Sequence, residues 1–307
     1  MYKNRFFLSI LINLAFLYFL LRTKHIYNII NVENFKSQLL EWAQQFNDVV
    51  WLDSNNYQQT YSNYDAVLAV DALTSIKTNH VEGFRKLKAY QTDINDWIFG
   101  YLAYDLKNDV EGLTSHNHDG LEFPDLYFFQ PKKLFLIRGK TVEIQYLNSL
   151  ATDLENDFMT IENSAFSNAG KYREFTDQIK IKLRIHKDAY FNKINKMLAH
   201  IYRGDIYEAN FCQEFYAENT QINPLETYNK LNQISNPPFA TFLKCSDKYL
   251  LSASPERYIK KEGKTIISQP IKGTAKRSPN KGDDNALKLK LKTDKKERSE
   301  NIMIVDL

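Results

Sequence analysis

The order of its apolar segments constrains the fold of this chain more than any other sequence feature. In the second half, short apolar runs bounded by turn residues follow one another closely. The sequence predicts strands there at Tyr207–Tyr216, Ala240–Lys244, Tyr249–Ala253, Arg257–Lys260 and Thr265–Gln269. Regular alternation of strand and helix, which indicates a parallel sheet, is absent. We therefore expect an α+β fold with antiparallel sheets.

Helices and further strands are predicted from the spacing of apolar residues. Positions 32–46 have helical spacing with Asn31 as N-cap, and His186–Arg203 is the clearest helix, ended by Gly204. A short helix is expected at Pro224–Ser235. Strands are expected at Val49–Leu52, Ala66–Val70, Trp97–Leu102 and Leu134–Ile137. Asn148–Lys182 is polar with little periodicity, and Leu287, Leu289 and Leu291 leave strand and helix both open.

Composition excludes several functional classes. The 307 residues are 43% hydrophobic and 25% charged, which is typical of a globular protein. A net charge of +3, from 40 basic and 37 acidic residues, is too balanced for a nucleic-acid-binding surface. Cys212 and Cys245 have no paired spacing, so we expect neither a disulfide framework nor a zinc site. His116 and His118 lie in a polar segment that favours a solvated loop.

The first 21 residues form an apolar leader that allows three interpretations. Lys3 and Arg5 precede the apolar run Phe6–Leu21, whose sixteen residues would make a helix of about 24 Å. A hydrocarbon core is about 30 Å thick, so a membrane span is not favoured. A translation start assigned too far upstream, with Leu21 as the start codon, is the preferred interpretation. A signal or anchor and a core helix are the alternatives.

Two turn segments in the second half carry the chemically informative residues. Ser254-Pro255-Glu256-Arg257 presents an acid just before a predicted strand, and Gln269-Pro270-Ile271-Lys272-Gly273-Thr274 presents an amine just after another. Either segment alone is more typical of an ordinary turn. If the two strands pair, the acid and the amine share one pocket. That combination suits acid/base or covalent chemistry on a small anionic molecule.

Together with three further segments, these turns resemble the chorismate-utilising enzymes, over a region from about Val32 to the last residue. The further segments are Trp97–Asp105, Arg203–Asn210 and Asp294–Leu307. The resemblance implies two interleaved halves, with stacked antiparallel sheets flanked by helices. It divides the chain into the leader 1–21, an N-terminal half 22–163, a linker 164–182 and a chorismate-binding domain 183–307. That domain is incomplete, because roughly the last third of the family pattern is missing.

Lys272 distinguishes two activities within this family. A lysine in Pro-Ile-Lys-Gly-Thr resembles component I of aminodeoxychorismate synthase, whereas anthranilate synthases typically carry alanine there. The resemblance implies that chorismate and ammonia give 4-amino-4-deoxychorismate, for para-aminobenzoate and folate synthesis. Glu256 would protonate the departing hydroxyl, Lys272 would attack the ring, and Gly273 and Thr274 would contact the substrate. Ammonia would come from a separate glutamine amidotransferase subunit, and we expect a cytoplasmic protein without a membrane partner.

Two further sites are implied by the resemblance alone. Glu297 and Glu300 would hold Mg²⁺, with Glu300 as the preferred direct ligand. Some relatives bind tryptophan, at positions that match Ser54, Tyr61, Ser62, Asn63, Tyr64, Pro238, Phe239 and Ala240. The alternatives are anthranilate synthase component I and a non-catalytic remnant that binds tryptophan or a partner. In either case we expect the 307-residue chain by itself to be inactive, because the missing third carries essential groups of the family.

Overall fold

The computed structural model describes residues 21–57, 60–164, 179–271 and 273–306. Its helices are α1 Val32–Trp42, α2 Gly83–Ile94, α3 Asn108–Glu111, α4 Leu154–Asn163, α5 Lys187–Arg203, α6 Pro224–Ser235, α7 Lys281–Thr293 and α8 Lys295–Asp306. Short 3₁₀ turns follow or precede some of them, at Ala43–Gln45, Tyr104–Lys107 and Asn148–Asp153. The apolar leader falls on residues 1–20, outside the described residues, apart from Leu21. Among the helices that are described, none is long and apolar enough to cross a membrane.

Most strands belong to one antiparallel sheet. The strands are β1 Arg22–Asn28, β2 Asp48–Asp53, β3 Ala66–Thr78, β4 Phe99–Leu102, β5 Leu126–Arg138, β6 Thr141–Leu147, β7 Lys182–Leu183, β8 Phe215–Tyr216, β9 Phe239–Cys245, β10 Lys248–Ser254, β11 Arg257–Glu262 and β12 Thr265–Gln269. The large sheet has the order β1-β6-β5-β3-β2-β9-β10, with β4 also paired to β5. β11 pairs with β12, and β7 with β8. The predicted antiparallel α+β fold is confirmed.

Strands from both halves of the chain belong to this sheet, with the two strands of the second half side by side at one edge. β9, from the second half, pairs with β2, from the first, in a register that places Val50 opposite Leu243. β10 then extends the sheet beyond β9. The described parts of Met1–Phe166 and Pro224–Leu307 form one compact unit, and those of Ser167–Asn223 form a second. The sheet therefore joins distant segments through the β2–β9 pairing, while the domain boundaries drawn from the sequence remain predictions.

One face of the sheet is covered by α1 and α4. Asn31 caps α1 by accepting a hydrogen bond from the amide of Asn34, as predicted, and Phe35 and Leu39 point inward from this helix. Leu154, Phe158 and Ile161 from α4 join the same apolar cluster, together with Trp51 and Phe135 from the sheet. A buried stripe of this kind supplies most of the stability of a short helix.

A buried lysine connects α4 to the sheet. Lys133 on β5 is 8% exposed, and its ammonium lies 2.5 Å from the Asp157 carboxylate on α4. The rings of Trp42, Phe46 and Tyr146 surround it. Tyr146 donates to the same carboxylate at 2.8 Å, and burial with Asp157 beside it raises the pKa of this phenol well above its usual range. The carboxylate is therefore held by two donors from the sheet.

Two sequence predictions about secondary structure are wrong. Only Phe215–Tyr216 of the predicted strand Tyr207–Tyr216 is a strand, and within the described residues it pairs only with the two residues of β7. The apolar spacing of this segment is thus not used by a sheet. The segment Asn148–Lys182, in which little apolar periodicity was expected, contains α4, because Leu154, Phe158 and Ile161 do follow a helical period. Lys281–Thr293 resolves the ambiguous leucine repeat as a helix.

Candidate functional site

The hairpin β11–β12 brings the two turn segments together. Arg257, at the start of β11, is opposite Gln269, at the end of β12, so the strand pairing expected from the sequence is confirmed. Across this open end, Oε1 of Glu256 accepts a hydrogen bond of 3.0 Å from the amide of Ile271. Lys272 lies outside the described residues. Its immediate neighbour in the chain, however, is bonded to the predicted acid.

Local hydrogen bonds fix the turn that carries Glu256. The hydroxyl of Ser254 accepts from the amide of Glu256 at 3.2 Å and donates to its carbonyl at 3.1 Å. Across the hairpin, Nε of Arg257 donates to the Gln269 side chain at 2.9 Å. Serine before proline therefore acts here as a local cap of the turn.

Helix α8 lies against the second turn. Asp294 accepts hydrogen bonds from the amides of Lys296 and Glu297, and so caps the start of this helix. Asn301 follows Glu297 at i, i+4, and this spacing places both side chains on one face of the helix. Nδ2 of Asn301 donates to the carbonyl of Pro270 at 3.2 Å, and the half-buried Glu297 carboxylate lies beside Gly273. Glu256, the turn and the acidic helix thus form one site.

The carboxylates of α8 are compatible with the implied Mg²⁺. Glu297 and Glu300 are three residues apart on α8, and both are half-buried. Within the ranges that the structure describes, Glu300 has a single long ion pair, with Lys296 at 3.7 Å. Mg²⁺ commonly uses one or two protein carboxylates and keeps its remaining waters, so this donor set fits the ion. Across the described stretches, no cluster of three or more histidine, cysteine or acidic residues offers a fuller metal site.

Gly273 is constrained both by its backbone and by Glu297. Its φ is +78°, and a Cβ built there would lie 2.2 Å from Oε2 and 2.9 Å from Cδ of Glu297. Glycine is therefore required for two reasons, backbone conformation and space. Thr274, the other residue predicted to contact the substrate, is exposed beside it.

Gly273→Ala should displace the Glu297 carboxylate. Gly263→Ala is the matched control, since Gly263 also has positive φ, at +58°, but has nothing within 4 Å of an added Cβ. Both variants should lose about 1 kcal/mol of unfolding free energy from the backbone alone. Only Gly273→Ala should weaken Mg²⁺ binding, by about tenfold or more, because a ligand is moved. Calorimetric Mg²⁺ titration beside thermal denaturation measures both quantities. Equal Mg²⁺ affinities in the two variants would contradict the assignment.

The residues predicted for tryptophan binding lie around the β2–β9 pairing. Ala240 on β9 neighbours Asp53 across the sheet, which brings Phe239 and Ala240 to the end of β2, where Ser54 follows. The Ser54 hydroxyl is buried and has no hydrogen-bond partner among the described residues. The amide of Ser54 donates to the carbonyl of Asp65 at 2.8 Å.

The loop that carries the other tryptophan-pocket residues is held by backbone contacts. The carbonyl of Tyr61 accepts from Lys260 at 2.8 Å, and that of Asn63 accepts from Arg138 at 2.8 Å. Ser62 donates to the carbonyl of Tyr64 at 3.0 Å. Pro238 directly precedes β9. The structure thus places these residues near the ends of β2 and β3, and tryptophan binding stays a prediction.

Two sets of residues that hold these sites in place were not predicted from the sequence. Asn301 follows Glu297 by one helical turn, and this i, i+4 spacing of polar residues was the available signal. The second is the buried pair of Lys36 and Asp53, 3.0 Å apart, at the end of β2. Burial raises the pKa of the Asp53 carboxyl, although Lys36 and the amide of Asn55 act in the opposite direction. No sequence pattern indicates that these two charges meet inside the protein.

The fold is shared with two solved enzymes. Anthranilate synthase component I from Streptococcus pneumoniae matches with a TM-score of 0.65 at 18% identity, over 81% of this chain and 61% of that one. The menaquinone-specific isochorismate synthase from Escherichia coli matches with a TM-score of 0.56 at 12% identity, over 93% and 62% of the two chains. At these identities the likeness concerns the fold alone.

Curated relatives and a family match agree with this architecture. An anthranilate synthase component I-like protein of Synechocystis is 29% identical over 212 residues, covering 69% of this chain and 43% of the relative. Aminodeoxychorismate synthase component 1 of Escherichia coli is 28% identical over 208 residues, with 68% and 45% covered. The chain thus spans about half the length of the curated relatives it matches. Residues 47–307 match the chorismate binding enzyme family, and the chain belongs to that family.

Proposed function

We propose that this chain belongs to the chorismate-converting component of an aminodeoxychorismate synthase. The observation that supports this most is the hydrogen bond from the Ile271 amide to Glu256. It brings an acid to the residue that precedes Lys272, at a turn that also contacts Glu297. An acid, an adjoining amine and a carboxylate for a cation are the groups that amination of a dicarboxylate requires.

Glu256 is suited to protonate a leaving group. One of its oxygens accepts from Ile271, so the other remains for the proton that the departing C4 hydroxyl needs. In the proposed reaction, the uncharged amine of Lys272 bonds to C2 of chorismate and both conjugated ring double bonds shift, so that the C4–O bond breaks and the hydroxyl leaves as water with the proton from Glu256. The lysine nitrogen then returns a proton to Glu256. Ammonia next bonds to C4, both double bonds shift back, and the bond from lysine to C2 breaks, while one proton passes from the new ammonium to the departing lysine nitrogen. The sum is chorismate plus ammonia giving 4-amino-4-deoxychorismate plus water.

The remaining residues would hold the substrate. When bound, Mg²⁺ would supply positive charge opposite a substrate carboxylate. Glu300 and Glu297 would hold it on the exposed end of the same helix face that contacts the turn. Gly273, with no side chain, would let the backbone approach the substrate ring. The Thr274 hydroxyl would donate a hydrogen bond to the substrate.

The ammonia source and location belong to the same proposal. Ammonia would come from a glutamine amidotransferase subunit, as the resemblance to the family implies. The product would feed para-aminobenzoate and folate synthesis in the cytoplasm. With only two cysteines and no paired spacing, the composition suits a reducing compartment.

Anthranilate synthase component I is the competing activity. Relatives with either name match at similar identity, so the comparisons do not choose between the two products. Lys272 favours aminodeoxychorismate, because the anthranilate reaction needs no lysine nucleophile at this position. Tryptophan binding is a separate proposal, supported by the buried hydroxyl of Ser54, which has no hydrogen-bond partner in the described part of the chain.

Glu256→Gln tests the proposed acid. The full product of the gene, with chorismate, Mg²⁺ and ammonium salt, should form 4-amino-4-deoxychorismate, detected by liquid chromatography and mass spectrometry. Glutamine can still accept from Ile271 but cannot give up a proton, so the turnover number should fall by about 10²–10⁴-fold. Glu262→Gln is the control, since Glu262 lies at the other end of β11, where it forms an ion pair with Lys260 at 3.0 Å. Anthranilate as the sole product would replace the proposal with its rival.

A further inference from the structure

Both polar ends of one peptide group are held in the candidate site. The carbonyl of Pro270 accepts from Asn301, and the amide of the next residue, Ile271, donates to Glu256. The carbonyl oxygen of Pro270 and the amide nitrogen of Ile271 belong to the same planar peptide unit, which can rotate only as a rigid plane. With one hydrogen bond on each side of the plate, its orientation is determined. Ile271 is the residue immediately before Lys272 in the chain.

The two bonds come from independent parts of the fold. Glu256 leads into β11, whereas Asn301 lies on α8. Asn301 is also one helical turn from Glu297, whose carboxylate lies against Gly273 at the far end of the same turn. One face of α8 therefore contacts both ends of the Pro270–Gly273 turn. Pro270 and Asn301 are both half-buried, so water competes only partly for this carbonyl.

We propose that Asn301 is a positioning residue for the reaction. Its amide holds the Pro270–Ile271 peptide, and so fixes the backbone that leads into the lysine relative to Glu256 and to the carboxylates of α8. Asn301 itself does not touch reacting atoms. This inference rests on the proposed function for its effect on catalysis, but not for its effect on the turn.

Two substitutions remove the donor while keeping the size of the side chain. Asn301→Asp has the same shape but cannot donate a hydrogen bond to a carbonyl. Asn301→Leu also removes the donor, without adding a charge. Asn301→Gln retains the donor and is the rescue variant. Ser299→Ala is the control, because Ser299 is exposed on α8 and donates to the carbonyl of Lys295 within the helix.

Hydrogen exchange of the Ile271 amide, measured by NMR on the full gene product, reports the turn directly. In Asn301→Asp and Asn301→Leu this amide should exchange about fivefold faster, the effect of one lost hydrogen bond. With chorismate and ammonia, the turnover number should fall about tenfold or more, since misplacing reacting groups is costly, while KM changes less than about threefold. Asn301→Gln should recover part of both, and Ser299→Ala should change neither.

The outcomes separate this inference from the proposed function. Parent-like exchange and turnover in both Asn301→Asp and Asn301→Leu would overturn the positioning role. A lower melting temperature with unchanged turnover well below melting would also overturn it, because Asn301 would then be merely structural. If the parent converts no chorismate to the aminated product, the proposed function fails. The exchange of the Ile271 amide still decides whether Asn301 holds the turn.

Discussion

Lys272→Ala should remove the covalent intermediate and, with it, the amination of chorismate. When the full gene product is incubated with chorismate and Mg²⁺ but without ammonia, the unsubstituted (parent) protein should gain the mass of chorismate less water. The alanine variant should gain none, and its turnover with ammonia should fall on the order of 10³-fold or more, as is usual when a covalent nucleophile is lost. Intact-protein mass spectrometry and a product assay measure the two effects.

A neighbouring lysine supplies the control for this experiment. Lys264 is exposed in the turn between β11 and β12, and Lys264→Ala changes net charge by the same amount. It should form the adduct at the parent rate. An adduct that persists on Lys272→Ala would remove this residue from the mechanism. Full turnover by that variant would do the same, and would leave only the family-level assignment to chorismate.

Among the substitutions proposed for this protein, Lys36→Met should cause the largest loss of unfolding free energy. Lys36 and Asp53 are 4% and 8% exposed, and methionine fills the space of the lysine stem but leaves Asp53 without its counter-charge. Breaking a buried ion pair from one side costs about 3–5 kcal/mol of unfolding free energy. Urea denaturation measures this value. The exposed Lys24, 4.0 Å from Glu143, is the control, and Lys24→Met should cost less than about 1 kcal/mol.

The loss in Lys36→Met should also depend on pH. Burial already raises the pKa of Asp53, and removing Lys36 removes a group that lowers it. A carboxyl whose pKa is higher in the folded than in the unfolded protein binds its proton more tightly when folded. Acidification through that interval therefore stabilises the fold. The gap between parent and variant should narrow as pH falls, and Lys36→Met/Asp53→Asn should recover part of it at neutral pH. A gap independent of pH would mean that Asp53 is not the cause.

Local patterns predicted those elements that have regular apolar spacing or end at a clear stop. α5 was expected from its periodicity and from Gly204, which has φ of +79° and ends the helix. β12 was predicted with the bounds it has. β6 was missed although Val142, Ile144 and Tyr146 alternate inward, so its signal was present and not used. β1 carries little such signal, because most of its side chains are exposed at the edge of the sheet.

Partner choice is the information that a single strand pattern lacks. The segment Tyr207–Tyr216 has apolar residues enough for a strand, yet a strand forms only where another backbone accepts its hydrogen bonds. For the same reason, the sequence suggested that Glu256 and the Pro270–Gly273 turn meet, since their strands are joined by a tight turn. It did not indicate that Asn301 or the Lys36–Asp53 pair would take part, because those contacts depend on packing between distant elements.

The pairing of β2 with β9 has a consequence for how the protein is made. When β2 leaves the ribosome, its partner on one side does not yet exist, because Asp48 is opposite Cys245. About 190 more residues must be translated first, which takes roughly 10–40 s at ordinary elongation rates of about 5–20 residues per second. During that time Val50 and Trp51 have an open neighbouring edge, a known route to aggregation. We therefore expect the nascent chain to need protection of the open edge of β2, as a chaperone would give. Because β2 and β9 are far apart in the sequence, we expect their pairing to form slowly and late in folding.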